Sequence, residues 1–374
     1  MKTERIYLDY NASTPIAPEV AEAMKPFLTQ HYGNPSSHHW AGAPAKEAVE
    51  HARRQVADLL QCRPDEIVFT SGGSESNNHA IKGVFFALKQ KGNHIITTQI
   101  EHPAVLNPCR FLEKLGAKVT YVGVDQYGRV DPVEIEKAIA SETILITVMH
   151  ANNEIGTIQP IEEISKIAKK HRIILHADAA QSVGKIDTNV NSLGVDLLSI
   201  AGHKIYAPKG VGALYIREGT PVEQLIHGAG HESGRRAGTE NVLLIVGLGM
   251  ACDIARKYMN YSKISDLRDR FWELLHKNFG RRIVLNGHPT HRLPNTLNVS
   301  FVGEMGGEIL SRLDGVAAST GAACHSGSVE LSPVLKAMKI LPEVGMGTIR
   351  FSLGRTTTIG EVERAVQLIK NALL

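Results

Sequence analysis

From about residue 67 to about residue 216, short apolar runs alternate with amphipathic stretches. The runs at 67–70, 94–98, 118–122, 144–149, 173–177, 197–200 and 212–216 are near-continuous in aliphatic and branched residues, which marks strands buried on both faces. Residues 75–89, 104–115 and 132–140 carry apolar positions at helical spacing, the last with proline in its first turn. This alternation predicts an α/β fold with a mainly parallel seven-stranded sheet and helices on both faces. Sites in such sheets lie beyond the carboxyl ends of the strands. Ser71, His102, Asn153, Asp178 and Lys204 each follow a strand candidate closely, so the pattern predicts that they converge in one crevice.

After about residue 255 the pattern changes. A long charged helix is predicted over 253–279, followed by shorter strands that include 295–301 and 348–353. The expected organisation is a large domain over 16–255, which holds the strand-end residues named above. Residues 1–15 and 256–374 would form a smaller α+β domain that carries the cysteine-bearing segment 319–328. A chain of 374 residues is long enough for two or three domains.

Composition narrows the partners. The chain is 43% hydrophobic and 21% charged, as soluble globular proteins are. A formal charge of +3 offers no concentrated basic face for nucleic acid. The most apolar run, 243–251, is too short to span a bilayer. Residues 1–5 run straight into 6–10 without the look of a secretory signal. Four cysteines in this length do not make a disulfide framework, so a reducing, cytoplasmic setting is expected.

The candidate chemistry centres on two residues. Lys204 follows the apolar run 197–202, where an exposed charge is not expected. Burial and nearby positive charge lower a lysine's pKa and free its amine for imine formation. Asp178 ends another apolar run, where a buried carboxylate calls for a cationic partner or for satisfaction by backbone. A Schiff-base lysine and a carboxylate for a pyridine nitrogen are what a protein supplies to pyridoxal phosphate.

Other residues fit around that pair. Gln181, three residues after Asp178, is placed to donate to the cofactor's phenolic oxygen. Ser71-Gly72-Gly73-Ser74 joins a strand to a helix, which suits either a phosphate cup or a plain capped turn. His102, before Pro103, is read either as a ring stacked on a pyridine or as a helix cap. Cys324 lies among small residues in a segment expected to be a mobile loop, and the adjoining His325 favours its thiolate. Cys62, Cys109 and Cys252 sit in helical contexts and read as packing. Arg350 and Arg355 suit either a carboxylate clamp or an interdomain salt bridge. His38 and His39 lack partners at metal-ligand spacing and read as loop residues, so no metal is expected.

Several ordered blocks together resemble the NifS/IscS-type cysteine desulfurases of the class V aminotransferase superfamily, which have the fold-type-I pyridoxal-phosphate architecture. These blocks are residues 7–15, 32–37, 69–77, 149–156, 176–181, 202–212, 234–241 and 350–355, so the resemblance runs over nearly the whole chain. It implies that Lys204 is joined to the cofactor, Asp178 pairs with the ring nitrogen, His102 stacks on the ring and Gln181 contacts its oxygen. Gly73, Ser74 and His203 would hold the phosphate, with Thr239 reaching in from the other subunit of a homodimer. Asn153, which would also touch the cofactor, is implied to bind substrate together with Arg350, Arg355 and Asn34. Cys324 would be the nucleophile that takes sulfur from L-cysteine, releases L-alanine and passes a persulfide to an acceptor protein. Lys204, His102 and Cys324 would thus be the catalytic set.

Three features depart from that family. Ala201 stands where many relatives have a phosphate-binding serine. The chain ends at Leu374 without the C-terminal extension that IscS-type members use toward a scaffold protein. Residues 321–326, followed by 332–335, are similar to selenocysteine lyases, which makes selenocysteine the alternative substrate. A plain aminotransferase would not need Cys324, and a non-catalytic persulfide carrier would not need Lys204, Asp178, Gln181 and His102.

Overall fold

The computed structural model describes residues 5–257, 262–320, 322–325 and 328–374, with the side chains of 322–325, 328 and 329 left aside. The chain opens with strand β1 (Ile6–Tyr7) and continues with β2 (Ile67–Thr70), β3 (His94–Thr98), β4 (Lys118–Val122), β5 (Thr143–Met149), β6 (Ile174–Asp178), β7 (Leu197–Ala201) and β8 (Gly212–Ile216). Then follow β9 (Ile283–Asn286), β10 (Thr296–Phe301), β11 (Val316–Ala317), β12 (Ser319–Thr320), β13 (Ala322–His325), β14 (Ser328–Leu331) and β15 (Thr348–Ser352).

Strands β2 to β8 form the expected seven-stranded sheet, in the order β2-β8-β7-β6-β5-β3-β4. Neighbours from β7 to β4 run parallel, and β8 is antiparallel to both β7 and β2. The reversal at β8 follows from chain length: only residues 202–211 link β7 to β8, and a parallel return needs a dozen residues or more. Lys204 sits in that short link.

Successive side chains point to opposite faces of the sheet. Phe69, Ile96, Ile146, Leu198 and Tyr215 pack in one core. Their neighbours Val68, Ile95, Leu145, Leu197 and Leu214 pack in another. Helices Ala43–Leu60 and Val242–Lys257 cover the first face, and helices Gly73–Leu88 and Pro103–Glu113 the second. Burial on both sides explains why these strands read as unbroken apolar runs.

A third core forms around the antiparallel sheet β12-β15-β10-β9. Phe271 and Phe279 of helix Ser262–Phe279 pack there with Phe301, Phe351 and Ile349, and helix Ile359–Leu373 adds Val362 and Ile369. The chain start joins this core. Ile6 and Leu8 are buried in it, β1 pairs with β11, and the Ser352 amide donates to the Leu8 carbonyl at 2.7 Å.

Of the helix predicted over 253–279, residues 253–257 complete helix Val242–Lys257 and 262–279 form helix Ser262–Phe279, while 258–261 lie outside the described residues. Ile245, Leu248 and Cys252 face the large core, and Phe271, Leu275 and Phe279 face the small one. Two local expectations change. The helix predicted over 132–140 ends at Lys137. The segment expected as a loop around Cys324 is a hairpin, with β13 and β14 antiparallel and Cys324 opposite Val329. Small side chains do not prevent this, since backbone groups make the ladder. Among the described residues, no helix is long and apolar enough to cross a membrane.

Phe271 is fully buried, with its ring centroid 5.0 Å from that of Phe351. Phe271→Ala is expected to destabilise the fold by about 3–5 kcal/mol, measured by urea unfolding followed by circular dichroism. A loss below about 1 kcal/mol would show that this core can collapse around the cavity.

Candidate active site

A cavity of about 670 Å³ opens beyond the carboxyl ends of β5, β6 and β7. Asp178, Gln181, His203, Lys204 and His102 border it. So do Asn153, Arg350, Gly73 and Ser74. Asp178, Gln181, Lys204, His102 and Asn153 share one pocket because the parallel strands end on the same side, and Arg350 of β15 joins them from the second sheet.

Asp178 closes β6, between Met149 of β5 and Ser199 of β7. It is buried. Its Oδ2 accepts from Asn77 Nδ2 at 2.7 Å and its Oδ1 from the Ala180 amide at 2.9 Å. Both donors are neutral, so the buried carboxylate favours a cation placed in the cavity.

Lys204 lies in the one-turn helix Gly202–Lys204. Its Nζ donates to the carbonyls of Asn11 at 2.5 Å and Ala12 at 2.9 Å. Burial pushes its pKa down to about 8, the Arg350 charge adds to this, and Asp9 and Asp178 oppose it. A neutral amine is therefore accessible near physiological pH. Gln181 Nε2 donates to the same Asn11 carbonyl at 2.9 Å.

His102 is both a cap and a cavity wall. Its Nδ1 accepts from the Ala104 amide at 3.1 Å at the start of helix Pro103–Glu113. That bond leaves the ring proton on Nε2. Burial lowers its pKa, with Asp178 opposing. Beneath it, the buried Glu101 carboxyl accepts from Thr98 Oγ1 at 2.6 Å and from the Met149 amide at 3.0 Å, and burial raises its pKa to about 8. The site reading of the sequence passed over Glu101; its only signal was a carboxylate before His102 at a strand end.

The glycine turn forms one end of the cavity. Gly72 has φ +148°, which favours glycine. The helix starts at Gly73, where a Cβ would come within 3.2 Å of the Ala201 Cβ. The first amides of a helix have no intrahelical acceptor and point at this end. His203 Nδ1 is buried there without a partner, and burial pushes its pKa down to about 4.

The other end carries Arg350 and Asn153. Arg350 Nη2 donates to Asp9 Oδ1 at 2.7 Å and Ser319 Oγ at 3.0 Å, and Nη1 donates to the Asn153 carbonyl at 2.9 Å. Its Nε is buried and unpartnered. The ion pair joins the chain start to β15. In β12, Ser319 stands opposite Arg350, and the hairpin bearing Cys324 follows directly. The Cys324 side chain lies outside the described side chains.

Three predicted residues stay out of this cavity. Arg355 stacks its guanidinium 3.8 Å from the Tyr206 ring centroid. Asn34 is exposed and accepts from the Ser36 amide at 2.9 Å. Thr239 is exposed and borders an adjoining cleft that shares Ser71 and Gly210 with the cavity. A residue without a predicted role, Asn11, turns out to be central. Besides accepting from Lys204 and Gln181, its Nδ2 donates to Thr296 Oγ1 at 2.8 Å and its amide to Ser352 Oγ at 2.9 Å. No periodicity marks it, since it lies in an irregular segment.

The donor set fits pyridoxal phosphate. An orphaned imidazole nitrogen and a helix start suit a phosphate at one end. A carboxylate held only by neutral donors suits a protonated ring nitrogen, and a lysine of lowered pKa lies in the same cavity.

The aminotransferase class-V family matches residues 6–365. "Cysteine desulfurase IscS" of Dictyoglomus turgidum (strain DSM 6724 / Z-1310) is 52% identical over 377 residues, covering 100% of this chain and 95% of that protein. A solved structure named "NIFS-LIKE PROTEIN" superposes with a TM-score of 0.93 at 39% identity, covering 99% of each chain. Another, "SspA in complex with cysteine", gives a TM-score of 0.83 at 40% identity over 93% of this chain and 98% of its own.

The Lys204 amine of the apoprotein is expected to react with pyridoxal phosphate at a rate that rises through pH about 8. Below that pH the ammonium is not a nucleophile. Absorbance after mixing, followed by borohydride reduction and peptide mapping to Lys204, measures this. A rate that rises only near the ordinary lysine value of 10.5 would contradict the buried placement.

Proposed function

Because this chain belongs to the aminotransferase class-V family and is a pyridoxal-phosphate-dependent cysteine desulfurase, we propose that Lys204, His102 and Cys324 carry its reaction. L-cysteine is the sulfur donor and L-alanine the product. The observation that carries this reading is the Lys204 amine, lowered by burial, in one cavity with the neutrally held Asp178 carboxylate.

Pyridoxal phosphate, when bound, supplies an electron sink conjugated to the substrate's Cα. The residues of this chain do the rest. Asp178 holds a proton on the ring nitrogen. Gln181 presents Nε2 to the ring oxygen. His102, on the cavity wall, would stack on the ring, with only Nε2 free to exchange a proton. Gly73, Ser74 and His203 hold the phosphate, and Thr239 of a second subunit completes that end. Asn153 and Arg350 take the substrate carboxylate, with the unpartnered Arg350 Nε as the free donor. Arg355 and Asn34 do not line this cavity, so the clamp proposed within it rests on Asn153 and Arg350. Lys204, once free as an amine, moves the proton at the substrate's Cα.

Cys324 then attacks the substrate sulfur as a thiolate. The S–S bond forms as the substrate's C–S bond breaks, and that electron pair stays on Cβ, which takes up a proton. Cysteine and enzyme thiol become alanine and enzyme persulfide, so no outside oxidant is needed. The persulfide passes to an acceptor protein.

The separate cores support a large domain over 16–255 and a small one built from 1–15 and 256–374. A homodimer is supported by the high exposure of Leu28, Tyr32 and Trp40, apolar side chains that a second copy would cover. Dependence on a free thiolate supports a reducing cytoplasmic setting.

Cys324→Ala is expected to keep the cofactor's absorbance and its change on adding cysteine, while sulfide release with reductant falls by at least ~100-fold. Parallel assays with L-cysteine and L-selenocysteine, each scored by alanine, test the substrate. Full desulfurase activity in the variant would end the nucleophile assignment. A strong preference for selenocysteine would replace the substrate.

A further inference from the structure

Lys185 is a lysine that the reaction above does not use. It is 7% exposed, at the end of the turn that follows β6. Its Nζ donates to Gln181 Oε1 at 2.9 Å and lies 3.4 Å from Asn11 Oδ1. Both acceptors are neutral amide oxygens. The charged groups that bear on it are Lys204 after β7 and Arg350 on β15, and Lys185 in turn bears on His203. All three are cationic when ionised. Burial pushes Lys185 down to about 7, and the two cations push the same way.

This is an expensive arrangement for packing alone. A buried cation without a counter-ion is unfavourable, and an apolar side chain of similar length would avoid the penalty. What the amine provides is direction: below pH about 7 it is an ammonium with donors and no acceptor, and above it the neutral amine still gives N–H groups to the two amide oxygens, so the oxygen of Gln181 faces it. The Gln181 amide nitrogen is then turned the other way, with one hydrogen on the Asn11 carbonyl and one left for the cavity that Gln181 borders. A charged donor on Oε1 also polarises the amide and strengthens its N–H groups.

We propose that Lys185 is a positioning residue that acts through Gln181, locking the amide with Nε2 toward the cavity and strengthening its bond to the ring oxygen of the bound cofactor. This rests on the assignment of pyridoxal phosphate to the cavity. A stronger bond to that oxygen, together with a nearby positive charge, disfavours a proton on the nitrogen that links the cofactor to Lys204. Removing the ammonium therefore raises the pH at which that nitrogen loses its proton.

The test is a spectral pH titration of the holoenzyme. Wild type, Lys185→Met, Gln181→Leu and the double variant are compared through the midpoint of the bound cofactor's absorbance change. Lys185→Met is expected to move the midpoint upward by about 1 pH unit, a tenfold change in proton affinity. In the Gln181→Leu background the same substitution should move it by less than a third as much, because the two act as one unit. The apoprotein of Lys185→Met should melt no lower than wild type, since an unpaired buried charge has been removed.

An unchanged midpoint with a large loss of melting temperature would make Lys185 structural and overturn the proposal. Equal shifts in both backgrounds would overturn the route through Gln181. Should Lys185→Met not fold, Lys185→Arg must keep the wild-type midpoint and Lys185→Gln must raise it, and the opposite ranking overturns the proposal. A wild-type protein with no cofactor band would instead sink the cofactor assignment itself.

Discussion

One backbone carbonyl holds the site together. The Asn11 oxygen accepts from Lys204 Nζ and Gln181 Nε2, both from loops of the large sheet. The Asn11 side chain and amide meanwhile bond to Thr296 and Ser352 in the small sheet. The chain start is thus the clasp between two cores that are otherwise far apart in sequence. Removing its order would free the lysine amine, release the glutamine and loosen the strands that carry Arg350 and lead to Cys324.

The site's electrostatics follow from burial more than from ion pairing. Lys204, Lys185 and His203 all have lowered pKa values with burial as the leading cause. Glu101 is raised for the same reason. The Arg350–Asp9 ion pair beside the cavity leaves the guanidinium's Nε free. The pocket therefore carries latent positive charge without matching carboxylates on that side, which suits a ligand that brings a phosphate and a carboxylate of its own.

The fold was largely legible in advance because its strands are buried on both faces. Seven apolar runs became seven strands, and the residues just after them became the cavity lining. The failures have a common cause. The Cys324 hairpin depends on backbone pairing, to which small side chains give no period-2 signal. Asn11 was missed because its partners lie more than a hundred positions away, and Lys185 because its burial behind Gln181 is set by packing that no local pattern marks.

The sequence by itself determined the α/β alternation, the candidate lysine and carboxylate, and the family. Those follow from local order: apolar runs of strand length and ordered short blocks along nearly the whole chain. Only the tertiary structure decided that Arg355 turns to Tyr206 while Arg350 faces the cavity, that His102 is at once cap and wall, and that Lys185 stands behind Gln181. Those outcomes depend on distances between segments that meet only when the two cores close on the chain start, and such distances are a property of packing in three dimensions.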